Sequence, residues 1–257
     1  MSGNDNPYEV PKMVTLDEPT TGSLQDPRPV AAGRAIEWIS QGFNLFQMSP
    51  GAWVGVIVIL FVINMVVGLV PGVNMLISVI QPLFGAGIAY ACFRLDTEKR
   101  LAVEDMFAGF KNSLGPLLAI GAISFGITAI VFGGAVILGA ASFLTLASDS
   151  TVPTDPQGFI WLLLIALVAL GLLIPLWMAT WFAPTLVILH GTPAIEAMKL
   201  SFEACLKNIL PFLIYGLLSL VMLAIATIPL MLGLLIAFPI LMASNYCSYK
   251  DIFLHQD

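Results

Sequence analysis

Two histidines, His190 and His255, and three cysteines, Cys92, Cys205 and Cys247, are the residues of this chain best suited to hold a metal or attack a substrate. A tetrahedral metal site needs several such ligands converging, yet the cysteines lie far apart and form no CxxC pair. They read as reduced, half-buried packing residues. Serine catalysis needs a base within hydrogen-bond reach, and Ser124 and Ser142 stand in long apolar stretches without a histidine. No HExxH, Walker A or GxSxG string occurs. An ionisable side chain inside a membrane span would mark a proton or ion path, but residues 38–93, 112–148, 156–195 and 208–249 hold no Asp, Glu, Lys or Arg. The expectation is a chain with no catalytic residue, cofactor or metal, and so not an enzyme. His190 reads as a polar anchor at a span end; polar groups converging on His190 and Glu196 would argue otherwise.

The elements that carry these residues follow from composition. Of 257 residues, 58% are hydrophobic and 10% charged, far below the roughly 25% charged of a soluble domain. Lipid is the solvent in which such a surface is stable. The net charge of −6 offers no basic face to nucleic acid. A span needs about 20 apolar residues, so the uncharged runs predict six transmembrane helices near residues 53–70, 73–93, 114–147, 159–183, 210–228 and 230–249. Turns fall at Pro71-Gly72 and Pro229, and Pro175 is expected to kink the fourth span. With six spans, all ten Lys and Arg lie on one side, and the longest opposite loop carries only Asp149 and Asp155. The positive-inside rule makes the basic side, with both termini, cytoplasmic. Residues 1–32 are acidic, hold five prolines and have no apolar signal region; they read as a disordered cytoplasmic tail. Residues 33–257 form the membrane domain.

Within it a pattern recurs three times: AIEWISQGF from Ala35, AVEDMFAGF from Ala102 and AIEAMKLSF from Ala194. The shared positions are Glu37 and Phe43, Glu104 and Phe110, Glu196 and Phe202. Apolar residues at Ile36, Ile39, Phe43 and Phe46 follow helical spacing, as do Val103, Met106 and Phe110, and Ile195, Met198, Phe202 and Cys205. Each copy is expected to be an amphipathic interfacial helix preceding a transmembrane hairpin. The fold is therefore an all-α bundle of three parallel hairpin modules, near residues 33–93, 94–190 and 191–257.

Asn64 and Gln81 are neutral polar residues within the first hairpin, placed to bond across it or to line a path for a neutral solute. In the third span Gly126, Gly133 and Gly139 belong to a small-residue stripe that would let another helix approach closely. Trp53 and Trp161 sit near span ends, as interfacial residues do.

The stretches GRAIEWISQGFNLF, WFAPTLVILHGTPAIEAMKLSFEACLKNILPFLIYG and SYKDIF resemble the BPSS-type family of proteobacterial inner-membrane proteins, from about Gly33 to Phe253. The middle stretch is also similar to a pattern in YciC-type membrane domains. The resemblance implies a bacterial inner-membrane location and a helical bundle, and it carries over no catalytic residue. Two functions remain open: a non-enzymatic accessory, assembly or regulatory protein whose partners are lipid and other membrane proteins or further copies, and a transporter or channel for a small neutral or lipid-like solute.

Overall fold

Without water, a backbone N–H or C=O must find its partner within the protein, which makes long uncharged runs helical. The computed structural model describes residues 23–69, 73–148 and 156–254. All regular elements among them are helical: α1 (Arg34–Met48), α2 (Pro50–Gly68), α3 (Val73–Glu98), α4 (Ala108–Asn112), α5 (Leu114–Ser148), α6 (Pro156–Trp181), α7 (Ala183–His190), α8 (Ala194–Lys207), α9 (Ile209–Thr227) and α10 (Leu234–Phe253). A 3₁₀ turn, Val103–Phe107, leads into α4. Prolines mark helix starts at Pro50 and Pro184, where a missing N–H costs no hydrogen bond, and lie inside α3, α6 and α10 at Pro82, Pro175 and Pro239. The predicted turn at Pro71-Gly72 falls outside the described residues.

Among the described residues, five segments are long and apolar enough to cross a membrane: Pro50–Gly68, Ile77–Glu98, Leu114–Ala140, Ile160–His190 and Ile209–Thr227. The sixth predicted span, α10, differs in kind. Ser244–Asp251 in its second half is polar, and twelve of the 20 residues of α10 are buried. It packs among α1, α2, α3 and α9, so it needs little lipid-compatible surface. Among their described residues, α5 buries only Leu117, Ile120 and Gly121 and α6 buries none, and the two helices meet where a Cβ on Gly139 would lie 3.6 Å from Leu162 Cδ2. Trp161 is exposed, as an interfacial residue would be, whereas Trp53 is fully buried.

The expected disorder of residues 1–32 does not hold for its last third. Residues 23–33 form an extended strap across the polar end of the bundle. Gln25 N–H donates to the Phe253 carbonyl (3.1 Å) and Arg28 N–H to the Ile252 carbonyl (3.2 Å). The Asn208 side chain supplies what a neighbouring strand would: its Oδ1 accepts from Val30 N–H (2.8 Å) and its Nδ2 donates to the Arg28 carbonyl (2.9 Å). Lys207 Nζ donates to the Pro27 carbonyl (3.0 Å).

The three recurring segments are helical, but not with the predicted faces. In α1 the buried residues are Ala35, Trp38, Gly42, Leu45 and Phe46, while Ile36 and Phe43 are exposed. In α8 they are Ala197, Ser201, Ala204 and Cys205, while Ile195 is exposed. The buried face is thus turned by one residue, about 100°, from the apolar stripe. The middle copy is a 3₁₀ turn followed by one helical turn, burying Asp105, Met106, Ala108 and Gly109. Close approach explains the choice of face. Each segment puts a small residue, Gly42, Gly109 or Ser201, against a helix backbone just beyond that helix's internal proline. Gly42 touches Ile240 and Ser244 of α10, and Gly109 touches Leu83 of α3. Ser201 Oγ donates to the Met178 carbonyl of α6 (2.7 Å) and accepts from Phe182 N–H (2.9 Å). A methyl at Gly42 or Gly109 would overlap backbone atoms. Through α1 on α10, the first and last helices of the described chain are packed together.

Candidate functional site

The polar end is organised around one carboxylate. Asp251, in the last turn of α10, has a side chain only 4% exposed. A carboxylate so placed must be paired and hydrogen-bonded. Its Oδ1 accepts from Arg28 (2.9 Å), and its Oδ2 accepts from Arg34 Nε (2.7 Å) and from the Trp38 indole N–H (2.9 Å). Arg28 Nε also donates to the Asp251 carbonyl (2.9 Å). Burial alone would favour the neutral acid, but the bonds from Arg34, Trp38 and Arg28 outweigh it and hold the carboxyl below the usual carboxylate range. The bond to Asp251 likewise raises the Arg34 guanidinium above its ordinary value. Trp38 brings an aromatic floor with it: Phe212 lies 5.4 Å away, and Phe182 and Trp181 lie 5.8 Å and 6.2 Å from Phe212.

A second clasp answers the first with its polarity reversed. Arg94 stands as far beyond Pro82 in α3 as Asp251 stands beyond Pro239 in α10, and Asp105 holds the same place in its segment as Trp38 does in α1. Arg94 donates to Asp105 Oδ1 (2.7 Å), whose other oxygen accepts from Ala102 N–H (3.0 Å). At the corresponding place in the third segment the pair is Ala197 and Val187, both buried and apolar. Lys250 reaches from α10 to Asp96 of α3, and the Tyr246 hydroxyl donates to the same oxygen of Asp96 (3.4 Å).

Between these groups lies a cavity of about 550 Å³, whose walls include Arg28, Arg34, Gln41, Asn44, Asp96, Lys250 and Asp251, with Leu45, Met48 and Leu254 on its apolar side. A second cavity, about 410 Å³, is an apolar cleft between α5 and α6 around Val136, Gly139 and Leu162.

The residues singled out in the sequence fare differently. Asn64 donates to the Leu60 carbonyl one turn back in its own helix (2.8 Å), and both Asn64 and Gln81 are exposed. Gly126 and Gly133 face open space, and the close approach along α5 is made instead by Gly121 against Val79 of α3. Glu37, Glu104 and Glu196 are exposed; Glu37 pairs with Arg34. Phe43 is exposed, while Phe110 and Phe202 are half-buried; Phe110 lies 5.1 Å from Phe84. His190 bonds the Tyr249 hydroxyl of α10. Cys92, Cys205 and Cys247 are free and buried, and among the described residues no three His, Cys, Asp or Glu side chains come together as metal ligands. The sequence reading did not single out Asp251, Arg28, Arg34 or Asn208. The string SYKDIF held the clue: an acid at a helix end within two residues of Tyr249, Ile252 and Phe253.

No family model matches the chain, and no solved structure does. A protein of Burkholderia thailandensis described as a probable inner membrane protein is 29% identical over 201 residues, covering 74% of this chain and 73% of that one. This likeness joins the five long apolar helices. The chain is a multi-pass inner-membrane protein. Its outward-facing helices contact the lipid bilayer, and its polar groups gather at one end of the bundle.

Proposed function

We propose that this chain is a non-enzymatic accessory protein of the bacterial inner membrane that supports the assembly or regulation of other membrane components. In this reading it has six spans in three parallel hairpin modules, with the strap, both clasps and both termini in the cytoplasm. The finer kinship with the BPSS-type family belongs to the same reading. One observation carries it: the polar groups at the polar end are bonded to each other rather than held ready for chemistry. Asp251 is bonded by Arg28, Arg34 and Trp38, Asp105 by Arg94 and Ala102, and Asn208 by the strap. Such networks, fully satisfied, fix one packing arrangement. The common docking of α1, α4 and α8 beside internal prolines supports the modular arrangement, and α10 serves as the buried sixth span. The outward faces of α5 and α6 supply surface for helices of a partner.

Crosslinking in intact membranes, then affinity purification and mass spectrometry, tests this. A fixed set of membrane proteins recovered in constant proportion is the expected result. Recovery of this chain alone, as monomer or homo-oligomer, would overturn it in favour of a self-contained carrier, a reading that the cavity at the polar end favours.

A further inference from the structure

We propose that the cavity at the polar end binds a phosphate-bearing anion, a lipid headgroup or a soluble phosphate ester, through Arg28, Arg34 and Lys250. The inference holds whether the chain is an accessory protein or a carrier. The walls carry three cations, Arg28, Arg34 and Lys250, against two carboxylates, Asp96 and Asp251. Exposure sharpens that balance. The Asp251 side chain is 4% exposed, whereas the side chains of Arg28, Arg34 and Lys250 are 42%, 34% and 40% exposed. A molecule in the cavity therefore meets the cations rather than the central carboxylate, while Asp96, 24% exposed, is the partner of Lys250. Asp251 orients both guanidinium groups while using only part of their hydrogen-bonding capacity. Each guanidinium has five N–H donors, and Arg28 commits Nε and one terminal nitrogen to Asp251. Guanidinium donors match phosphate oxygens in paired geometry, and a lysine adds a point charge. Gln41 and Asn44 bring neutral amides to the same walls, and Leu45, Met48 and Leu254 give an apolar side where acyl chains could begin. Met48 lies two residues before α2, the first apolar helix long enough to span, a place suited to a lipid headgroup.

The test uses the full chain purified in a zwitterionic detergent. Phosphatidylglycerol, phosphatidylcholine and inorganic phosphate are offered separately, and occupancy is read by native mass spectrometry. Asn44→Glu places a negative charge in the wall without touching either clasp, and Lys250→Gln removes a cation. Melting temperature is measured alongside, so that the variant that stays folded decides the matter. At least a fivefold preference for phosphatidylglycerol over phosphatidylcholine, lost in the folded variants, assigns the site to a lipid headgroup. Saturable phosphate binding without lipid preference, also lost in those variants, assigns it to a soluble phosphate ester. Neither lipid preference nor phosphate binding, or binding that survives both substitutions, would overturn the proposal.

Discussion

Replacing Asp251 with Asn removes one charge while keeping the shape of the side chain. The carboxylate accepts three side-chain hydrogen bonds, from Arg28, Arg34 and Trp38. A hydrogen bond to a charged group contributes about 1.5–3 kcal/mol, and stripping one partner from a fully buried ion pair costs about 3–5 kcal/mol. Arg28 and Arg34 are 42% and 34% exposed, so water recovers part of what they lose and screening lowers the figure. The amide can still accept at its oxygen, but its NH2 faces a donor. The expected loss is about 2–3 kcal/mol, which for a chain of this size lowers the melting temperature by roughly 5–10 °C. Glu37→Gln is the control: this exposed partner of Arg34 should change stability by less than about 1 kcal/mol. Thermal unfolding in detergent reads both. Hydrogen exchange adds a local readout, since the Gln25, Arg28 and Val30 amides are bonded when the strap is docked; their exchange should accelerate in Asp251→Asn and stay slow in Glu37→Gln. Melting within a degree of wild type with unchanged exchange would refute the role given to Asp251.

Gly42→Ala should destabilise by about 1–3 kcal/mol, because the methyl overlaps Ile240 and Ser244. Gly126→Ala, with open space around it, should be neutral or stabilising by up to about 1 kcal/mol from helix propensity; thermal unfolding distinguishes them. The acid dependence follows from the lowered pKa of Asp251. Its stabilisation is complete above the ordinary carboxylate range and is lost as pH falls through the folded-state value below that range. The stability gap between wild type and Asp251→Asn should therefore be constant from pH 7 to about pH 5 and shrink below about pH 4, as read by melting temperature against pH.

The helical class and the apolar segments were legible because lipid imposes them: long uncharged runs have few alternatives. The buried faces of α1 and α8 were not. In water, Ile36 and Phe43 would mark the inside; in lipid, large apolar residues are equally at home outside, and the interior selects for close approach instead. A Cβ on Gly126 or Gly133 would have no neighbour within 4 Å from the rest of this chain. Small residues recur so often between residues 115 and 140 that spacing cannot say which of them meets a helix of the same chain; Gly121 meets α3 at Val79, and Gly139 meets α6 at Leu162. The Asp251 clasp joins residues 213 to 223 positions apart, a separation no local pattern can bridge. The strap was hidden because its partners lie far along the sequence: Asn208 supplies two of the hydrogen bonds that hold it, and Lys207, Ile252 and Phe253 supply others.

Orientation in the membrane is the central claim most directly open to measurement. Cysteines are placed one at a time at Ser150, which lies outside the described residues, and at Glu104, exposed beside the second clasp. An impermeant maleimide is then applied to intact and to permeabilised cells. The account predicts that Ser150→Cys reacts in intact cells and Glu104→Cys only after permeabilisation. The opposite pattern, or both positions reacting from the same side, would contradict it.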